Sequence, residues 1–129
     1  MATETQPAKA AKLLVVEDDE MIRMLIAEML ADIGYTVAAE AATVDEALEA
    51  TKKTEFDLAI LDSDLKGRSV SPVADALAAR DTRFVFVTGG GDHGLLAYRD
   101  RPTLNKPFKM ETLKRCCKSA LERGSLPRR

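Results

Sequence analysis

Residues 58–67, LAILDSDLKG, place four apolar side chains in succession and then a carboxylate, Asp62, with a second, Asp64, close behind. A continuous apolar run of this length suits a strand buried on both faces, the condition of a central strand in a parallel sheet. Ending such a strand on an acid puts a charge at the rim of the sheet. A solvated turn residue would give the same local sequence, so the rest of the chain must decide what Asp62 does.

Two further runs match the first, LLVV at 13–16 and FVFV at 84–87, and a weaker one, YTVAA, begins at Tyr35. Between them Met21, Ile22, Leu25, Ile26, Met29 and Ile33 recur at helical spacing, which predicts one apolar helix face closed by Gly34. Thr43 and Glu46 form a capping box, so a second helix starts at Val44 and turns Ala47 and Leu48 inward. Ser71 before Pro72 marks a third helix start. A last helix is expected from near Lys109 to Arg123, with Met110, Leu113, Cys117 and Leu121 on one side and Gly124 as its stop. Only a short segment separates Thr88 from Lys106, so the fourth helix of the alternation is expected to be short or irregular. Strands and helices alternating in this way predict an α/β fold: a doubly wound five-stranded parallel sheet, flavodoxin-like in order 2-1-3-4-5, with helices on both faces.

In such a sheet ligands gather beyond the carboxyl ends of the strands, where the strand order reverses. The first strand ends in Glu17, Asp18 and Asp19, the third in Asp62, the fourth in Thr88, and Lys106 follows the short fifth segment. Carboxylates crowded on one rim repel one another unless a cation neutralises them. Mg²⁺ is the natural ion, since it prefers hard oxygen ligands and keeps several waters. Lys106 adds a positive charge opposite the acids, and a small dianion held by Mg²⁺, Lys106 and the Thr88 hydroxyl would complete the site. Phosphoryl is the obvious candidate.

A length of 129 residues bounds the chain to one ordinary domain. The expected division is a mobile leader over 1–11, a folded domain over 12–123 and a flexible tail over 124–129. A net charge of −2 gives no sign of a nucleic-acid surface, and no apolar run is long enough to span a membrane. Adjacent Cys116 and Cys117 cannot bridge each other in a helix, which fits a reducing, cytoplasmic setting, and nothing near them suggests an activated thiolate. His93 reads as a solvated loop residue. The triple glycine at 89–91 lacks the lysine and hydroxyl of a phosphate-cradling loop and reads as flexibility.

With these residues in place, the chain resembles the receiver domains of two-component response regulators: Glu17 and Asp18 after LLVV, Asp62 after LAIL, Thr88 after FVFV, and Lys106 in NKPF. The resemblance implies that Asp62 accepts a phosphoryl group from a histidine kinase or histidine phosphotransfer protein. Glu17 and Asp18 would hold Mg²⁺ with Asp62, and the backbone carbonyl of Asp64 would be a further ligand. Thr88 would bond a phosphoryl oxygen, and Lys106 would pair with the phosphate ahead of a cis bond to Pro107. The output would be a downstream protein contact or onward transfer in a phosphorelay, from a bacterial, stand-alone signalling protein rather than an enzyme. FVTGGG and PVADAL are similar to the FAT GUY subgroup of alphaproteobacterial receivers, with Phe86, Thr88 and Gly89 in step and Val87 and Gly91 out of step. Lys66 replaces the proline commonly found ahead of the glycine, and Thr103 stands where many receivers place a switching aromatic. Two alternatives stay open. Asp62 and Asp64 imitate the DxD of haloacid dehalogenase-type phosphohydrolases, and a pseudo-receiver would bind partners without phosphorylation.

Overall fold

The apolar runs become strands because each feeds two cores at once. The structure is a computed structural model that describes residues 10–90 and 94–123. The tail, the helix stop at Gly124, Gly91, His93 and most of the expected leader lie outside those residues. Strands β1 (Lys12–Val16), β2 (Thr36–Ala41), β3 (Leu58–Asp62), β6 (Arg83–Thr88) and β7 (Thr103–Asn105) form one parallel sheet in the order β2-β1-β3-β6-β7. This is the expected topology. The higher numbers arise because Asp64–Leu65 (β4) and Arg68–Ser69 (β5) make a separate antiparallel hairpin.

Alternate residues of the central strands point to opposite faces, as a period of two requires. Leu14, Val16, Ala59, Leu61, Phe84 and Phe86 pack under α2 (Val44–Lys53) and α3 (Ser71–Ala79). Leu13, Val15, Leu58, Ile60, Val85 and Val87 pack under α1 (Glu20–Ile33) and α4 (Met110–Arg123). Both faces are therefore dry, which is why no alternation with polar residues is visible in the sequence.

Helix termini follow the expected chemistry with one correction. Asp19 caps α1 by accepting from the Ile22 amide, and Gly34 ends it at φ 117, a left-handed conformation that glycine adopts without strain. Thr43 caps α2 through the Glu46 amide, while Glu46 reaches back to the Ala42 amide. Ser71, however, lies inside α3 rather than capping it; its amide donates to Ser69 Oγ at 3.1 Å. The apolar face of α1 is also rotated from the expected one. Ile26 and Leu30 are buried, whereas Met21 is 68% and Leu25 49% exposed. In α4, Leu113 and Cys117 are buried but Met110 is exposed. The fourth helix is reduced to a single 3₁₀ turn, Leu96–Tyr98. Its anchor is Tyr98, which stacks edge-on against Phe84 and donates to Asp75 Oδ1 of α3 at 2.6 Å, with the Arg101 guanidinium 4.2 Å from the Phe84 ring centre.

Candidate functional site

Strand order reverses between β1 and β3, and the residues that follow their tips meet there. Glu17, Asp18 and Asp62 each offer a carboxylate oxygen, all within 4.8 Å of one another. The register fixes this meeting: Val16 pairs with Leu61, so the next residue on each strand is an acid. Both Glu17 and Asp62 are buried, Glu17 to within 1%.

Lys106 lies across the pair, its Nζ 3.0 Å from Glu17 Oε1 and 3.3 Å from Asp62 Oδ2. It arrives there from β7, whose Thr88↔Asn105 pairing continues with the Lys106 amide donating to the Thr88 carbonyl at 2.8 Å; the Lys106–Pro107 bond is cis. Glu17 Oε1 has no well-directed hydrogen bond and is met by the ammonium as an ion pair. Burial pushes the Glu17 carboxyl up to about 7, with the neighbouring Asp62 adding to the rise. Burial alone would lower the Lys106 ammonium, but Glu17 and Asp62 outweigh it and raise it.

Thr88 stands at the tip of β6, buried, with its hydroxyl donating to Asn105 Oδ1 at 3.0 Å. Asn105 was given no role from the sequence; the only signal for it is its position one residue before Lys106. The hydroxyl also accepts from the Gly90 amide at 3.3 Å. A Cβ at Gly89 or Gly90 would meet nothing within 4 Å among the described residues.

Asp64 does not join the carboxylate cluster. Its Oδ1 accepts from the Gly67 amide at 3.0 Å, closing the two-residue turn between β4 and β5. Lys66 and Gly67 take φ values of 54 and 85, the left-handed pair such a hairpin needs. A proline, fixed near −65°, could not occupy position 66 here, which accounts for that departure. The Asp64 amide instead donates to Asp62 Oδ1 at 3.1 Å and orients that carboxylate.

The donor set suits a hard divalent cation. All the ligand atoms are carboxylate oxygens, one of them buried without a directed hydrogen bond, and their mutual repulsion is what a cation would relieve. The cysteines offer no competing chemistry: burial pushes the Cys117 thiol up to about 12 and raises Cys116 as well.

The model of the response regulator receiver domain family matches residues 13–118. This chain belongs to that family. It is 30% identical over 125 residues to the transcriptional regulatory protein PdtaR of Mycobacterium tuberculosis, covering 86% of this chain and 57% of that protein. It is 36% identical over 81 residues to the regulatory protein VanR of Enterococcus faecium, covering 63% of this chain and 35% of that one. The chain thus spans a little more than half the length of PdtaR and about a third of VanR. Among solved structures it is similar to SdrG from Sphingomonas melonis Fr1, 40% identical with a TM-score of 0.78 over 88% of this chain and 97% of that one. The receiver domain of Erythrobacter litoralis PhyR is 28% identical with a TM-score of 0.79, covering 93% and 96% of the two chains. These neighbours agree with the FAT GUY resemblance. Receivers serve two-component signalling rather than metabolic catalysis, and the hydrolase reading finds no support. The second aspartate it needs as acid and base is turned into the hairpin. Among the described residues, no helix is long and apolar enough to cross a membrane.

Proposed function

We propose that this receiver accepts a phosphoryl group on Asp62 from a phosphohistidine donor, on a histidine kinase or a histidine phosphotransfer protein, with Mg²⁺ bound. The observation that carries it is the convergence of Glu17, Asp18 and Asp62 within 4.8 Å under the Lys106 ammonium. A carboxylate oxygen of Asp62 forms the new bond to phosphorus, the N–P bond of the donor breaks, and its electron pair leaves on the imidazole. Two protein groups receive the charge on the phosphoryl oxygens: Lys106 Nζ, already 3.3 Å from Asp62, and the Thr88 hydroxyl, which turns from Asn105. Glu17, Asp18 and Asp62, with the Asp64 carbonyl, are the residues that would hold the metal. Mg²⁺ supplies charge neutralisation and a template for the incoming oxygens.

The donor is a protein, and exposed Met21 and Met24 in the first turns of α1, with Met110 at the start of α4, offer it apolar contact. Output runs through altered protein–protein affinity or onward transfer of the phosphoryl group, in a cytoplasmic setting. Mass spectrometry after incubation with a phosphorylated histidine donor tests the reading. The parent should gain one phosphoryl group in Mg²⁺ and none in chelator, and Asp62→Asn should gain none while its circular dichroism is unchanged. Equal labelling of Asp62→Asn and parent would sink the assignment.

A further inference from the structure

Arg23 lies one turn inside α1, and its side chain runs back along the helix to the tip of β1. Nη1 donates to the Glu17 carbonyl at 2.8 Å, and Nε donates to Glu40 Oε1 of β2 at 3.3 Å. The Arg23 amide donates to the Asp19 carbonyl at 2.8 Å. The acidic loop of Glu17, Asp18 and Asp19 is thereby held at both ends by one residue. The Asp19 amide adds a brace from within, donating to Glu17 Oε2 at 3.1 Å.

The consequence falls on Asp18. A peptide unit is planar, so fixing the Glu17 carbonyl oxygen also fixes the direction of the Asp18 amide and the start of that residue. Asp18 is the one half-exposed member of the acid cluster, and its loop position alone does not bury it in place. Arg23 does this without an unbalanced charge beside the pocket, because Glu40 neutralises the guanidinium. A planar fork is required: a lysine ammonium carries the same charge but cannot serve two acceptors in those directions.

We infer that Arg23, with Glu40 as its counter-ion, is a positioning residue for the cation pocket: by holding the Glu17–Asp18 peptide it sets how tightly a divalent cation is bound. The inference rests on the proposed cation site at Glu17, Asp18 and Asp62. Groups that orient metal ligands from outside the coordination shell typically change affinity by about 10- to 100-fold when replaced. The contact here is to a backbone carbonyl, so the lower end applies.

The experiment is a calorimetric Mg²⁺ titration of the full chain at pH 8, at low and high salt, on the parent, Arg23→Lys, Glu40→Gln and Asp18→Asn. Amide spectra of Asp18 are recorded alongside. Arg23→Lys should bind Mg²⁺ about tenfold more weakly, with a displaced Asp18 amide resonance before metal is added, and added salt should not restore the affinity gap. Glu40→Gln keeps the carbonyl contact, so it should lose less than about threefold, and salt should erase that loss. Arg23→Lys binding within twofold of the parent, or Glu40→Gln losing as much as Arg23→Lys, would overturn the inference. Should Arg23→Lys fail to fold, its removal is a matter of stability and the positioning role is likewise overturned. A parent that binds no Mg²⁺, or an Asp18→Asn variant that binds as tightly, would instead strike the underlying site.

Discussion

Magnesium binding should expel a proton from Glu17, and the amount should follow pH. The metal-free carboxyl sits at about 7, raised by burial and by Asp62, so about nine-tenths of molecules hold that proton at pH 6, half at pH 7 and a tenth at pH 8. A divalent cation takes the carboxylate form, so its apparent affinity should fall by about tenfold from pH 8 to pH 6. Calorimetric titrations in two buffers of different ionisation enthalpy count the released protons directly. Glu17→Gln should release about one proton fewer at pH 6 and flatten the profile. A parent that binds Mg²⁺ with no proton release at pH 6 would refute the assignment of the raised carboxyl.

The same shift predicts the sign of metal-free stability. A carboxyl whose folded pKa is raised binds more protons folded than unfolded, so its stabilising contribution is present below its ordinary value of 4.5 and is lost as pH rises through about 7. The upper limit of that loss is about 3 kcal/mol at 1.36 kcal/mol per unit. Lys106 is also raised, but its contribution is lost only in the alkaline range and leaves this window flat. Denaturant unfolding in chelator should therefore show stability falling from pH 5 to 8 in the parent, and not in Glu17→Gln.

Lys106→Met should keep or tighten Mg²⁺ at pH 8, since it removes a cation 3.0 Å from Glu17, while Asp18→Asn should weaken it; a titration giving the opposite order would reverse the two roles. Tyr98→Phe removes the 2.6 Å bond to Asp75 and should speed amide exchange over residues 96–101 with little change in global unfolding. Phe84→Ala empties a buried ring that Phe86, Tyr98 and Arg101 all contact, and should cost about 3–5 kcal/mol in denaturant unfolding. Order in residues 89–101 should rise when Mg²⁺ and beryllofluoride are added, read by relaxation dispersion; an unchanged profile would remove that segment from the switch.

The sheet and its acids were legible because two-sided burial leaves unbroken apolar runs, and parallel register then sets the residues after each run side by side. The reduced fourth helix was legible from the short spacing between Thr88 and Lys106. Helix phase was less so. Met24 and Leu30 extend the apolar arc of α1 beyond the six expected residues to more than half of its circumference, so periodicity alone could not tell that Leu30 faces the core while Met21 and Leu25 do not. Ser71 before Pro72 is a competent cap by composition, yet Val70 precedes α3 and no side chain caps it; the Ser71 amide instead donates to Ser69 Oγ, at the end of the hairpin ahead of the helix. Arg23 and Asn105 escaped for a further reason: their partners Glu17, Glu40 and Thr88 come from other strands, and no local pattern marks them.

The pocket holds its acids together at a cost that the metal-free chain meets with one lysine and, below about pH 7, a proton on Glu17. Lys106 spans Glu17 and Asp62, and under the proposed transfer of a phosphoryl group to Asp62 the ammonium would be drawn from these contacts to the phosphoryl oxygens. Thr88 would face the same choice, because its hydroxyl donates to Asn105 and a phosphoryl oxygen would compete for it. Asn105 and Lys106 are neighbours at the end of β7, so both exchanges pull on one short edge strand. That strand is paired through Phe86 and Thr103, and the segment entering it carries Arg101 over Phe84 and Tyr98 against Asp75. A change at the acids therefore has a continuous path of hydrogen bonds and ring contacts to the outer edge of the sheet, where the 3₁₀ turn Leu96–Tyr98 replaces a full helix and the least structure has to be remade. On this reading a large switching aromatic is dispensable at Thr103, because Phe84 and Tyr98 already lie on the face of the sheet that Thr103 shares with its strand partner Phe86.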